Sequence, residues 1–322
     1  MLSLIGNERC SLVLNLPPYE NCSMTKRIFS VVCFIALCLA LATTRASVAQ
    51  EKVELWPNLA PGETVREPNV EDPNVPNTPA QVVTTPQLLI FRPEKQTSDA
   101  CVLVFPGGGF NVCFYHNEGI PVAKYWNEKG FVSAVLVYRV PRPKSGPIYM
   151  SAFQDAQRAV RYMKANADKY GINPDKIGVQ GFSAGSYLTV HTAVNSTTQS
   201  YDPIDEMDDL PASVAFAIPV YPAYVLTDGA TDANANKGEG ATLIDDLHFD
   251  EQTPPMCLIH GDADIYSPLG SVEIYKKLRK MGISCELHIF AGAPHGFMFW
   301  DDLPNAQTWQ DRCYAWLKKM GY

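Results

Sequence analysis

The chain has 322 residues, 46% of them hydrophobic and 19% charged, and a formal net charge of -8. That apolar share excludes wholesale disorder, and the acidic balance argues against nucleic acid as a partner, because neutralising phosphates takes a basic surface. Nine cysteines are too few for a disulfide scaffold at this length.

The first distinctive stretch is the apolar run Ile28–Ala42, preceded by Lys26 and Arg27 and followed by Ser47, Val48 and Ala49. A basic start, an apolar middle and a small-residue exit read as a secretory leader cleaved near Ala49, with Met24 as the true start. The uncharged run between Arg27 and Arg45 falls short of the roughly 20 residues a spanning helix needs, so no stable membrane anchor is expected. The expected organisation is an N-terminal extension and leader over 1–49, an extended Pro-rich arm over 50–87, and one main domain over 88–322. Without the leader about 270 residues remain, an ordinary size for a single α/β domain, and the location implied is secreted or periplasmic.

Past the leader, residues 57–86 are rich in Pro, Asn and Thr and cannot form a long helix or a central strand. Apolar, β-branched runs then predict strands at Leu88–Phe91, Cys101–Phe105, Val132–Tyr138, Ile177–Gln180, Val214–Pro219, Met256–His260 and Cys285–Phe290. Helical periodicity covers Ser151–Tyr170, stopped by Gly171, then Tyr187–Val194, Ser271–Met281, stopped by Gly282, and Asn305–Met320. Strands alternating with helices predict a mostly parallel central sheet covered by helices on both faces. The stretch Thr227–Thr253, rich in Asp, Asn and Gly, reads as a surface excursion. Five cysteines follow the leader: Cys101, Cys113, Cys257, Cys285 and Cys313. The odd number leaves at least one thiol free, and Cys101, Cys257 and Cys285 lie in strand-like runs as small buried hydrophobes. No Cys/His group has zinc-ligand spacing, so no metal is expected.

Four motifs carry chemistry, each directly after a predicted strand. Gly181-Phe182-Ser183-Ala184-Gly185 places a serine on a tight strand-to-helix turn, with glycines where a Cβ would clash. The helix that follows favours negative charge at its N-terminus. Phe105-Pro106-Gly107-Gly108-Gly109-Phe110 lets backbone amides approach an oxyanion, with Gly108, Gly109 and Ala184 as the candidate donors. A phosphate-binding reading of the glycine run fails for want of a following Lys-Ser/Thr pair. A serine hydroxyl needs a histidine to take its proton and a carboxylate to hold that histidine's tautomer. Of His248, His260, His288 and His295, His295 stands out: its loop follows a strand and precedes the last helix. In His260-Gly261-Asp262-Ala263-Asp264, Asp264 is favoured over Asp262, which reads as a turn former bonding local amides.

These motifs, with Leu55-Trp56-Pro57, His116-Asn117-Glu118-Gly119, Tyr138-Arg139 and Asp155-Ala156-Gln157-Arg158-Ala159-Val160-Arg161, make the chain resemble an α/β-hydrolase. More narrowly, it is similar to the secreted acetylxylan esterase or feruloyl esterase-like carbohydrate esterases. The resemblance implies a three-layer sandwich without a large cap domain. It also implies a Ser183, Asp264, His295 triad without metal or organic cofactor, and hydrolysis of short acyl esters on small molecules or polysaccharides. The family usually carries a longer segment where Thr227–Thr253 stands, so a lid over long acyl chains is not expected. Phe110, Phe114, Tyr115, His116, Tyr266 and Trp300 flank the motifs, and Phe110, His116, Tyr266 and Trp300 are the candidate substrate contacts. A serine peptidase would share the triad but usually adds a large domain. A non-catalytic binding module on the same fold commonly loses the nucleophile or the base, and this chain keeps both.

Overall fold

The computed structural model describes residues 51–67, 69, 78–227, 240–299 and 302–322. Its framework is a sheet of eight strands in the order β1-β2-β4-β3-β5-β6-β7-β8. The strands are β1 (Glu51–Glu54), β2 (Gln87–Phe91), β3 (Cys101–Phe105), β4 (Val132–Val137), β5 (Ile177–Phe182), β6 (Ala217–Val220), β7 (Met256–Gly261) and β8 (Cys285–Phe290). β1 runs antiparallel to β2, and β2 antiparallel to β4. From β4 through β3, β5, β6 and β7 to β8 every pairing is parallel.

Burial explains which runs became strands. Every residue of β2 through β7 is buried, as a sheet covered on both faces requires. β8, at the open edge, is only partly covered, and there Cys285 is half-buried where the sequence suggested a buried thiol. Cys101, Cys113, Cys257 and Cys313 are buried and unpaired. The helices are α1 (Ile120–Glu128), α2 (Met150–Ala165), α3 (Ala167–Tyr170), α4 (Ala184–Val194), α5 (Leu269–Lys280) and α6 (Trp309–Lys319). The expected Ser151–Tyr170 helix is broken at Asn166, whose backbone leaves helical geometry, and Gly171 ends α3 in the left-handed conformation. α4 begins three residues before the expected start, and because it is buried at every position it shows no amphipathic stripe. Ala49–Tyr322 forms one compact unit. Among the described residues no helix is long and apolar enough to cross a membrane. The leader region 1–49 lies outside the described residues, as do 228–239 of the predicted excursion.

The arm is more structured than its composition implies. Its start is strand β1, and a buried polar network fastens the turn after it. Asp155 of α2 accepts from Trp56 Nε1 (2.8 Å), from the Arg139 amide (2.9 Å) and from Arg139 Nε (3.0 Å). Arg139 also donates to Pro61 O, while Arg158 donates to Leu55 O (3.1 Å) and pairs with Asp208 (2.9 Å). Each of these charged groups is enclosed with its partner, the condition under which a buried charge is tolerated. The Leu55-Trp56-Pro57, Tyr138-Arg139 and Asp155–Arg161 motifs are thus largely one structural fastening.

Candidate active site

The site lies at the carboxyl ends of the parallel strands, where open α/β sheets place their ligands. β5 ends at Phe182, α4 begins at Ala184, and Ser183 makes the turn between them at φ 53°, ψ -117°. An L-residue held there stores about 1–3 kcal/mol of strain, tolerated because the surroundings over-determine it. Here the Ser183 amide donates to Val220 O (3.2 Å), and its carbonyl accepts the amides of Ser186 and Tyr187 at 3.0 Å. A Cβ on Gly181 would lie 2.1 Å from Gly185 O, and one on Gly185 2.1 Å from Phe105 O. Only glycines allow α4 to pack this closely on β5 and β3.

His295 stands on the loop after β8. Its Nε2 lies 2.8 Å from Ser183 Oγ, and its Nδ1 lies 2.8 and 2.9 Å from the two carboxylate oxygens of Asp264. A carboxylate can only accept, so Nδ1 carries the proton and the Nε2 lone pair faces the serine hydroxyl. Asp264, on the turn after β7, is fully buried and also accepts from the Tyr266 amide (2.7 Å). Burial alone would raise its pKa. Hydrogen bonds and charge from His260 and His295 outweigh that effect and hold it below the ordinary carboxylate range.

The other candidates fall elsewhere. Asp262 is exposed, and its carboxylate accepts from the Gly292 amide across to the β8 loop, not from its own turn. His260 is buried behind the acid loop, with Nδ1 2.8 Å from Ser271 Oγ and Nε2 3.0 Å from Tyr266 O. His248 is exposed on the excursion, and His288 pairs with Glu286 on the edge strand (2.7 Å).

The glycine loop meets the serine from the β3 side. Gly107 is buried and its amide is taken by Glu118 Oε2 (2.6 Å), whereas Gly108 and Gly109 are half-exposed. Ala184 supplies the first amide of α4, which needs no acceptor within the helix. Beside this loop stand the half-buried Tyr224 and Tyr266. Their hydroxyls are 3.5 Å apart, and the Tyr266 ring centroid lies 4.8 Å from that of His295. Phe110 is 1% exposed and packs on Tyr138, Tyr187 and Tyr224, so it builds the wall and offers no free face to a sugar. His116 is half-buried against Tyr115, their rings 4.0 Å apart, on the single π-helical turn Tyr115–Gly119. Trp300 lies outside the described residues. Three groups were not singled out from sequence: Tyr221 and Tyr224, in a stretch without a motif, and Glu118, whose motif pointed to His116 instead. Among the described residues no group of three or more His, Cys, Asp or Glu could hold a metal ion.

Comparison with known proteins bears on the family and the fold. The BD-FAE family model matches residues 88–278. The chain is 27% identical over 226 residues to an acetylxylan esterase of Xylanibacter ruminicola, covering 66% of this chain and 44% of that protein. It is 26% identical over 242 residues to endo-1,4-beta-xylanase B of Butyrivibrio fibrisolvens, covering 73% of this chain and 38% of that one. The chain therefore spans less than half the length of these two relatives. Among solved structures, the acetyl ester-xyloside bifunctional hydrolase from Caldicellulosiruptor lactoaceticus aligns with a TM-score of 0.65 at 26% identity, over 86% of this chain and 99% of that one. Apo Thermogutta terrifontis esterase 2 shares the fold, with a TM-score of 0.61 at 24% identity over 78% of this chain and 97% of that one. The chain belongs to the BD-FAE family and has the α/β-hydrolase fold.

Proposed function

We propose that the chain is a serine esterase that hydrolyses short acyl esters, with acetyl groups on carbohydrate as its preferred substrates. The observation that carries this reading is the relay from Ser183 Oγ through His295 to buried Asp264. In the proposed cycle, Ser183 Oγ attacks the ester carbonyl carbon while His295 Nε2 takes the hydroxyl proton. The oxygen that gains charge is met by the amides of Ala184, Gly108 and Gly109 and by the N-terminal end of α4. The carbon–oxygen bond to the alcohol then breaks, and His295 returns its proton to the leaving oxygen. Water attacks the acyl-serine with His295 again as base. The carboxylic acid departs, and Ser183 regains its proton.

The short acyl preference is supported by the Tyr224, Tyr266 and Phe110 wall beside the glycine loop. The carbohydrate alcohol is supported by the names of the acetylxylan esterase and xylanase relatives. The test is product release from acetylated xylan, feruloylated arabinoxylan, a peptide amide and p-nitrophenyl acetate, alongside fluorophosphonate labelling. Acetate release and labelling of Ser183 are expected, with Ser183→Ala losing about 10⁶-fold in turnover. Retained turnover in Ser183→Ala, or no labelling of the wild type, would refute the reading. We also propose export through the leader over 24–49. The exported protein should then begin near residue 50, and an N-terminus that retains Met24 would refute this.

A further inference from the structure

The catalytic relay leaves one buried acid without a role. Glu118, on the turn between the glycine loop and α1, is 5% exposed. Its Oε2 accepts the Gly107 amide (2.6 Å), and its Oε1 accepts the Tyr221 hydroxyl (3.0 Å). Both donors lead directly to the reacting groups. A Cβ on Gly107 would sit 3.1 Å from Ser183 Cβ, so Gly107 is the point where the glycine loop touches the nucleophile's own backbone turn. Tyr221 follows β6, and its ring lies edge-on to His295, with centroids 5.0 Å apart. Tyr221 itself adopts φ 41°, and its amide is held by Ile259 O (2.7 Å).

We propose that Glu118 is a positioning residue for the hydrolytic reaction: one buried carboxylate fixes the root of the glycine loop and, through Tyr221, the seat of the His295 ring. This rests on the Ser183, His295, Asp264 reading above. Amide donors held at a set distance from the nucleophile are worth most when they need no reorganisation as charge develops. The carboxylate supplies that rigidity to the loop's first residue. It also places a carboxylate within electrostatic reach of an imidazole that becomes positive during each half-reaction.

The titratable groups facing Glu118 are Tyr221 and His295 from the loops after β6 and β8, Tyr138 after β4, and Cys113 in the glycine loop. Burial pushes the Glu118 carboxyl up. The Gly107 amide, the Tyr221 hydroxyl and the charge on His295 pull it back. His295 in turn faces Asp264, Ser183, Tyr221 and Tyr266.

Two variants separate positioning from scaffolding. Glu118→Gln keeps the shape and an acceptor for Gly107 but removes the charge. Tyr221→Phe keeps the ring and the charge but removes the hydroxyl. Steady-state kinetics on p-nitrophenyl acetate, the pH profile of kcat/KM and the rate of fluorophosphonate labelling are measured for each. In Glu118→Gln, kcat and the labelling rate should fall about tenfold, and the acid limb should move down by up to about one pH unit. KM should change by less than about threefold. Tyr221→Phe should slow kcat and labelling without moving the acid limb down. If both variants label and turn over within about twofold of wild type while only their melting temperatures fall, Glu118 is a structural strut and the proposal is overturned. If Glu118→Gln does not fold, Tyr221→Phe decides by the same criterion. A wild type that neither labels nor turns over would instead overturn the esterase reading, so the two failures are distinct.

Discussion

Asp264 is shared by two histidines. His295 Nδ1 is 2.8 Å from its Oδ2, and His260 Nε2 is 3.5 Å from the same oxygen. His260 Nε2 also points at Tyr266 O, a carbonyl that can only accept, so this nitrogen carries a proton and adds a second partial positive charge beside the acid. The acid is thereby held ionised within a buried turn.

The first prediction follows from that arrangement. Asp264→Asn replaces an acceptor by an amide that can present a donor to His295 Nδ1, favouring the tautomer whose Nε2 can no longer accept from Ser183. A loss of about 10⁴-fold in kcat is expected, with the fold retained. Asp262→Asn keeps an acceptor for the Gly292 amide at the surface and removes only a charge, so it should change kcat by less than about threefold. Kinetics on p-nitrophenyl acetate for both variants check the choice between the two aspartates.

Most of the parallel sheet was legible in the sequence, because strands buried on both faces must read as continuous apolar runs. β3, β4, β5 and β7 begin at the residues those runs indicated, and so does β8, although it is only partly covered. What was not legible had long-range causes. Glu51–Glu54 is polar and short, and becomes a strand because β2 offers it an edge. The Ser183, Asp264 and His295 positions followed from local turn chemistry and chain order. Glu118 and Tyr221 did not, because their pairing spans 103 residues and neither lies in a motif that names its chemistry. Phe110 is a candidate substrate contact in the sequence because it is aromatic and adjoins the glycines. Three tyrosines, from separate parts of the chain, enclose it instead.

The second prediction concerns acyl length. Tyr224 adopts φ 60°, and its hydroxyl would lie 3.5 Å from a Cβ on Gly109. It therefore roofs the loop that would hold the ester carbonyl. Tyr224→Ala should raise the ratio of kcat/KM for p-nitrophenyl butyrate to that for the acetate at least about tenfold, the scale on which a hydrophobic pocket reads one or two methylenes. An unchanged ratio would place the acyl pocket elsewhere.

The third prediction is one of stability. Asp155 is fully buried, and its two oxygens hold Trp56 and Arg139. Asp155→Ala would leave the enclosed Arg139 with only the more distant Glu63 carboxylate as ion partner and free Trp56 of the arm, costing about 3 kcal/mol or more. Urea unfolding should show the free energy of unfolding falling by that amount, whereas Lys129→Ala, which breaks an exposed pair with Asp311, should cost less than about 1 kcal/mol.

The fourth prediction is a pH dependence of folding. His191 of α4 is 4% exposed and sits against Tyr149 and Phe153, with ring centroids at 4.3 and 4.4 Å. Burial, with a smaller contribution from His248, lowers its pKa to about 3. In the unfolded chain the same imidazole takes up a proton near pH 6.5. Between these two values the unfolded state binds more protons than the folded state, so stability falls as the pH drops. Above pH 6.5 both states are neutral here and the effect vanishes. At pH 5 this one side chain should have cost about 2 kcal/mol relative to pH 7, at about 1.4 kcal/mol per pH unit below the unfolded pKa. His191→Phe keeps an aromatic ring among Tyr149, Phe153 and Tyr187 and removes the titration. Chemical unfolding of both proteins at pH 7 and pH 5 should show the variant losing about 2 kcal/mol less than wild type. Equal losses in the two proteins would mean that His191 is protonated within the fold.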